Sequence, residues 1–263
     1  MGTDGQKLSP AGAALARGLI VVIVLHAFEQ IALVAVLEEI VSEFQARDLS
    51  GVLFGAYLVA SILGTVCAGP RPIFAHGLGL FWLGLILAGC ATSIEMLIFA
   101  RAVQGAGGGI LQTIALRTIH TAFTEVERPR VIAALSTAWV LPGLLGPPVA
   151  AALVEALPQL GWRAIFVVLW PIVPLSAWLA LRAMRRLSLA APTDLDTPEQ
   201  RREHNRTLRY AGILCAGVVL MLASSVEKDP LLLGVLLPAG IAVSAFGVRQ
   251  IFPAGTLRLR RGL

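Results

Sequence analysis

Apolar residues in this chain run in long unbroken stretches. They do not alternate as in strands, nor do they recur at threes and fours as on a soluble helix. Eight stretches stand out, at about 18–37, 51–69, 73–93, 97–117, 131–154, 164–181, 210–226 and 231–248. Each is near the roughly 20 residues that an α-helix needs to cross ~30 Å of hydrocarbon. A membrane β-barrel would show alternating segments of about ten residues instead. The pattern predicts an all-α, polytopic membrane helix bundle of about eight transmembrane spans, multi-pass in the cell membrane. The interruptions divide the chain into a polar segment 1–17, a six-span bundle 18–181, a linker 182–209, two additional spans 210–248 and a basic tail 249–263. The linker, rich in Arg, Glu, Asp and Pro, reads as a solvated connection. A short turn around Glu95 separates spans 3 and 4.

Charge sets the orientation. Of 21 lysines and arginines, 17 share one side when the N-terminus is taken as cytoplasmic. These are Lys7, Arg17, Arg71, Arg117, Arg128, Arg130, Arg182, Arg185, Arg186, Arg201, Arg202, Arg206, Arg209, Arg249, Arg258, Arg260 and Arg261. Arg47, Arg163 and Lys228 fall outside, and Arg101 lies within a span. The positive-inside rule then places both termini in the cytoplasm. The net charge of +5 reflects this topology and the inner-leaflet lipid it meets, not nucleic acid. Charged residues make up 14% of the chain, against about a quarter in soluble domains. The three cysteines (Cys67, Cys90, Cys215) lie in apolar runs and read as small packing residues.

Polar residues inside the spans carry the candidate chemistry. In span 1, "HAFEQIAL" puts His26, Glu29, Gln30 and Leu33 on one helical face. Glu29 stands nine residues before Glu38, roughly 13 Å from the outer end of the span. A charge at that depth costs about 2.5–3.5 kcal/mol on insertion scales. Either Glu29 is a neutral, hydrogen-bonded packing residue, or it exchanges protons or binds cations in a cavity. In span 4, Arg101, Gln104, Gly105, Gly108 and Gln112 share a face, and Arg101 lies at a depth similar to that of Glu29. Arg101 either snorkels to the interface or couples to Glu29 across a common cavity. Gln30, Tyr57, Gln104 and Gln112 are candidate substrate-cavity residues; Glu29, Arg101 and His26 are the candidate proton-coupling set. Gly105 and Gly109 form a small-x-x-x-small pair that admits a neighbouring helix. In span 5, Pro142, Gly146 and Pro147 mark a bent helix, as a static kink or a pivot. "HAFEQ" approaches a zinc-protease pattern but lacks the second His and a third ligand. No cofactor, metal or catalytic site is expected, and the chain does not read as an enzyme.

These motifs resemble the major facilitator superfamily. "LIFARAVQGAGGG" (97–109) is similar to the fourth-span motif of its drug:proton antiporters, with Arg101 and Gln104 in the expected slots. "GLLGPPVAAAL" (143–153) resembles their fifth-span motif, with Ala150 and Ala151 where two glycines are usual. "FEQIALVAVLEEI" (28–40) resembles the first span of the fourteen-span branch, with Glu38 in its proline slot. "GWRAIFVVLWPI" (161–172) resembles the start of span 6 there. The loop "AGPRPIFAHG" (68–77) departs from the family's Gly-x-x-x-Asp-Arg-x-Gly-Arg gate: it is shortened and lacks the Asp.

The resemblance implies an N-terminal six-helix half of the family's fold plus two extra spans. It also implies proton-coupled efflux of small drug-like or amphipathic compounds. The alternative is a degenerate half-transporter acting as a membrane interaction protein without transport. Expected partners are a small-molecule substrate, protons, membrane lipid, and a C-terminal half or a second copy. The chain is expected to be the N-terminal part of a longer architecture. A bundle on its own is expected to turn His26, Glu29, Gln30, Arg101 and Gln104 toward lipid.

Overall fold

The computed structural model describes residues 8–68, 74–186, 198–227 and 229–251. Parts of three predicted features, namely the 68–77 loop, the linker and the basic tail, therefore lie outside the described residues, as do residues 1–7 and Lys228. Among the described residues there are ten α-helices: α1 (Pro10–Ala35), α2 (Leu37–Glu43), α3 (Ser50–Cys67), α4 (Phe74–Gly89), α5 (Ile94–Ala122), α6 (Arg128–Ala156), α7 (Ala164–Val167), α8 (Leu169–Arg186), α9 (Pro198–Val226) and α10 (Pro230–Ile251). All but α2, which follows the first stretch, coincide with the eight predicted stretches.

Local chemistry accounts for the boundaries. α1 begins before the predicted span because the Ser9 side chain accepts from the Gly12 amide at 3.0 Å and Pro10 occupies the first turn. The turn between α4 and α5 lies before Glu95, not around it. Ser93 caps α5 by accepting from the Met96 amide at 3.2 Å, which leaves Glu95 in the first helical turn, where the helix dipole favours an acid. Seven helical segments are long and apolar enough to cross a membrane, and α4, at 16 residues, is shorter. It spans roughly 24 Å, less than the predicted 73–93 stretch would give.

α5 lies between α3 and α4, and α1 between α6 and α8; α4 leans on α7 and α8. Glycines set the spacing around α5. A Cβ on Gly105 or Gly109 would overlap the Tyr57 or Ser61 carbonyl of α3, and one on Gly107 would strike the α4 backbone at Phe81. Such close approach is how small residues associate helices where lipid removes the hydrophobic drive. Proline disruption is answered by side chains. Pro174 cannot donate to the Trp170 carbonyl, and Trp82 of α4 donates to it instead at 2.8 Å. The Trp170 indole in turn donates to the Leu85 carbonyl at 3.1 Å, so α8 is tied to α4 in both directions. α6 stays one helix through Pro142, Pro147 and Pro148. α9 packs on α3 through Leu222 against Gly55 and through the Cys215 thiol, 3.5 Å from the Val59 carbonyl. α10 leans on α9 and is mostly exposed.

Candidate functional site

The polar residues of α1 and α5 meet in the middle of the bundle. The Arg101 guanidinium forms an ion pair with Glu29 through Nη1. Nη1 also donates to Gln104 Oε1 at 3.1 Å, and Nη2 donates to Gln30 Oε1 at 2.9 Å. Gln30 Nε2 completes the ring by donating to Glu29 Oε2 at 3.0 Å. The Tyr57 ring of α3 lies under the guanidinium, 4.6 Å from centroid to Cζ, a cation–π contact. The Tyr57 hydroxyl stands 3.1 Å from His26 Nε2. The His26 ring meets the edges of Phe81 and Trp139 at 5.3 and 5.8 Å. Five helices thus contribute to one cluster. Gly108 makes room for it, since a Cβ there would overlap the Tyr57 hydroxyl and the His26 ring.

The burial corrects one expectation. Glu29, Arg101 and Gln104 are 0% exposed and His26 is 3% exposed, so the bundle does not turn this face toward lipid, and Arg101 does not snorkel. A lone charge would be costly in hydrocarbon, but here each charge has its opposite within the same six helices. Glycine spacing brings α3 and α4 close enough to enclose them. Among the polar members of the cluster Gln30 is half-buried, and on the His26 side the exposed Trp139 ring reaches the surface. Two buried donors, Arg101 Nε and Gln104 Nε2, make no hydrogen bond among the described residues.

Not every predicted residue joins this cluster. Gln112 is exposed on α5, one turn past Gly108, where His26 lies against that helix. Gly105 and Gly109 face α3, as described. Pro142, Gly146 and Ala150 are buried at intervals of four along α6. A Cβ on Gly146 would meet Ile31 of α1 at 3.1 Å, one residue beyond Gln30. Pro147 is on the exposed side.

A second cluster closes the helices at the end opposite the N-terminus of α1 and was not singled out by residue type. Arg163 Nη2 donates to Glu43 Oε1 at 2.7 Å and to the Ala91 carbonyl at 2.8 Å. The Trp162 indole donates to Glu43 Oε2 at 2.7 Å, and the Trp162 amide to Glu39 Oε1 at 3.1 Å. The guanidinium also covers the Trp162 ring at 4.2 Å. Hydrogen bonds from Arg163 hold the Glu43 carboxyl below the usual carboxylate range. The signal available in sequence was the i, i+4 spacing of Glu39 and Glu43 opposite a Trp-Arg pair. Glu38, in the resemblance's proline slot, instead pairs with Arg47 at the exposed surface.

The chain is similar in sequence to known proteins. Multidrug resistance protein 3 of Bacillus subtilis (strain 168) is 27% identical over 172 residues, covering 63% of this chain and 33% of that protein. Multidrug transporter MdfA of Yersinia pestis is 26% identical over 233 residues, covering 83% and 55% respectively. Multidrug efflux pump SdrM of Staphylococcus aureus (strain N315) is 26% identical over 161 residues, covering 59% and 35%. The chain spans about a third to about half the length of these relatives. The profile of the Major Facilitator Superfamily matches residues 18–247, most of the chain, from within α1 through α8 and into α10. This multi-pass membrane protein therefore belongs to the Major Facilitator Superfamily.

Proposed function

We propose that this chain forms one wall of a proton-coupled exporter of small drug-like or amphipathic compounds, oriented with both termini in the cytoplasm. The observation that carries the reading is the fully buried Glu29–Arg101 pair between α1 and α5. Structural ion pairs seldom gain stability from such burial, so a compensated charge at this depth marks a functional site. Its relatives' names, which refer to multidrug transport, support the substrate class. In this reading Glu29 is the proton carrier. As a carboxylate it holds Arg101; on protonation the guanidinium falls back on Gln30, Gln104 and the Tyr57 ring, all already in contact with it. His26 and Tyr57 form the polar extension toward α4 and α6. A substrate cation arriving at Gln30 competes for the same carboxyl as the proton. Gly146 rests on Ile31 of α1, one residue beyond Gln30, and serves with the buried Pro142 as the pivot.

Alternating access needs two bundles moving about a shared site, and the apolar stretches of α9 and α10, 210–226 and 231–248, carry no acidic or basic side chain to match Glu29 and Arg101. The chain alone is therefore expected not to sustain proton-coupled transport. It acts with a second six-span bundle or a second copy. The test uses purified chain in weakly buffered detergent solution with ethidium as probe and a pH dye as reporter. Ethidium binding should release protons from the wild type and not from Glu29→Gln; equal release from both would overturn the role of Glu29. In liposomes under an imposed proton gradient, robust substrate-dependent flux from verified monomers would refute the need for a second bundle. Flux confined to dimers would show that two copies suffice. The shortened 68–77 loop, lacking the gate Asp, favours a second reading: a membrane interaction protein that moves nothing. Absence of ethidium binding would support it.

A further inference from the structure

α1 and α8 pack tightly at one level, where a Cβ on Gly18 would come within 2.9 Å of the Ala180 Cα. Beside this crossing, at the end of the bundle far from the Arg163 cluster, the two helices enclose a groove of about 700 Å³. That volume lies within the range of sites that hold an organic ligand. Its walls are chiefly apolar, with Ala14, Gly18, Val21 and Leu179 along its length and Arg17 and Arg182 at its rim. The one buried hydroxyl there, Ser176, donates to the Val173 carbonyl at 2.8 Å. Both arginines are exposed, and they come from two different helices. Neither is among the ion pairs of the described residues, which join Arg47, Arg101 and Arg163 to their acids. Arg182 is held over the Trp178 ring at 5.2 Å, which orders a cation without neutralising it. Tryptophan at this level also fits the headgroup zone, where amphipathic rings settle.

We propose that this groove binds one anionic phospholipid, its phosphate clasped between Arg17 and Arg182 and its acyl chain lying along Ala14, Gly18, Val21 and Leu179. Charge complementarity selects the headgroup: two guanidinium groups without acidic partners among the described residues fit a phosphate that carries net negative charge. A zwitterionic headgroup returns a positive charge to the same spot and loses most of that gain. The apolar walls select a lipid over a free anion, because a small phosphate would leave the length of the groove uncovered. The clasp ties α1, which carries Glu29, to α8 one turn from their closest contact. It is independent of what the chain transports.

Native mass spectrometry of the purified full chain in detergent, titrated with phosphatidylglycerol or phosphatidylcholine, tests this. Two arginines near an anionic headgroup, at about 1 kcal/mol each, should give about a 30-fold preference for phosphatidylglycerol. Arg17→Gln with Arg182→Gln should abolish the preference, leaving phosphatidylcholine binding unchanged as evidence of an intact fold. Arg17→Lys with Arg182→Lys should keep most of it. Arg202→Gln with Arg206→Gln, on the exposed basic face of α9, should leave the preference intact. Equal affinity for both lipids in the wild type would overturn the proposal. So would an undiminished preference in the Arg17/Arg182 glutamine variant, or an equal loss in the α9 variant, which would signal diffuse charge. Competition by glycerol phosphate as effective as that of the lipid would assign the site to a free anion and overturn it as well.

Discussion

Changing Glu29 to glutamine removes the charge that answers Arg101 and keeps almost the same shape. Both side chains are fully buried, so water cannot stand in for the lost partner. Breaking a buried pair from one side typically costs about 3–5 kcal/mol, mostly because the remaining charge is stranded. The bonds from Arg101 to Gln30 and Gln104 and its contact with Tyr57 exist already in the wild type. They soften the loss without replacing it, which puts Glu29→Gln near the lower bound, about 3 kcal/mol. The reciprocal change, Arg101→Gln, strands a carboxylate, which a proton can neutralise. A guanidinium has no such escape, so Arg101→Gln should cost less, about 1–2 kcal/mol. The double variant sets amide against amide and should recover about 2 kcal/mol of coupling. Unfolding free energies from denaturant titration in mixed micelles, for all four proteins at one pH, measure the cycle. Effects additive within about 0.5 kcal/mol, or Arg101→Gln costlier than Glu29→Gln, would refute the reasoning.

Gly109→Val should destabilise the α3–α5 contact by about 1–3 kcal/mol or more, because the new side chain meets the Ser61 carbonyl and not a movable side chain. Gly79→Ala has open space and should stabilise by up to about 1 kcal/mol; thermal unfolding of the two variants should diverge in sign. Arg163→Ala should cost about 2 kcal/mol through the Glu43 and Ala91 bonds. Glu43 has a depressed carboxyl in the folded state, so its contribution is present above the ordinary carboxylate range and disappears as pH falls through the folded value. With the Glu43 side chain 42% exposed, solvent screening keeps that pH-dependent part below about 1 kcal/mol. Stability profiles of wild type and Glu43→Gln should converge toward low pH; a gap that widens on acidification would contradict this. Labelling of single cysteines at Glu43 and Thr193 should report opposite sides of the membrane, and accessibility from one side for both would overturn the proposed orientation.

Helix formation in a membrane is governed by local bonds: every backbone group in hydrocarbon must be satisfied within its own segment. Hence apolar run length alone yielded the all-α class and the positions of the spans, and the 3.6-residue period alone put His26, Glu29 and Gln30 on one face. Ser9 moved the start of the first helix from about 18 to Pro10, and Ser93 set the start of α5 at Ile94, because capping is decided atom by atom. Which way that face points is a different matter, since it depends on residues far apart in the chain. Glu29 and Arg101 are 72 positions apart and Arg163 and Glu43 are 120 apart. Their meeting is set by how closely α3 and α4 approach glycines 105–109 and by how α6 lies on α1. Spacing treated Gln112 as equivalent to Gln104, yet Gly84 of α4 lies against Gln104 while Gln112 is exposed. Tyr57 had no charged or amide companion within its own span, and only the crossing of α3 over α5 puts its ring beneath a guanidinium. Composition counted the charges and spacing gave their depth. Interhelical distance, fixed by small residues drawn from several helices at once, determined that they are enclosed and paired and not left facing lipid.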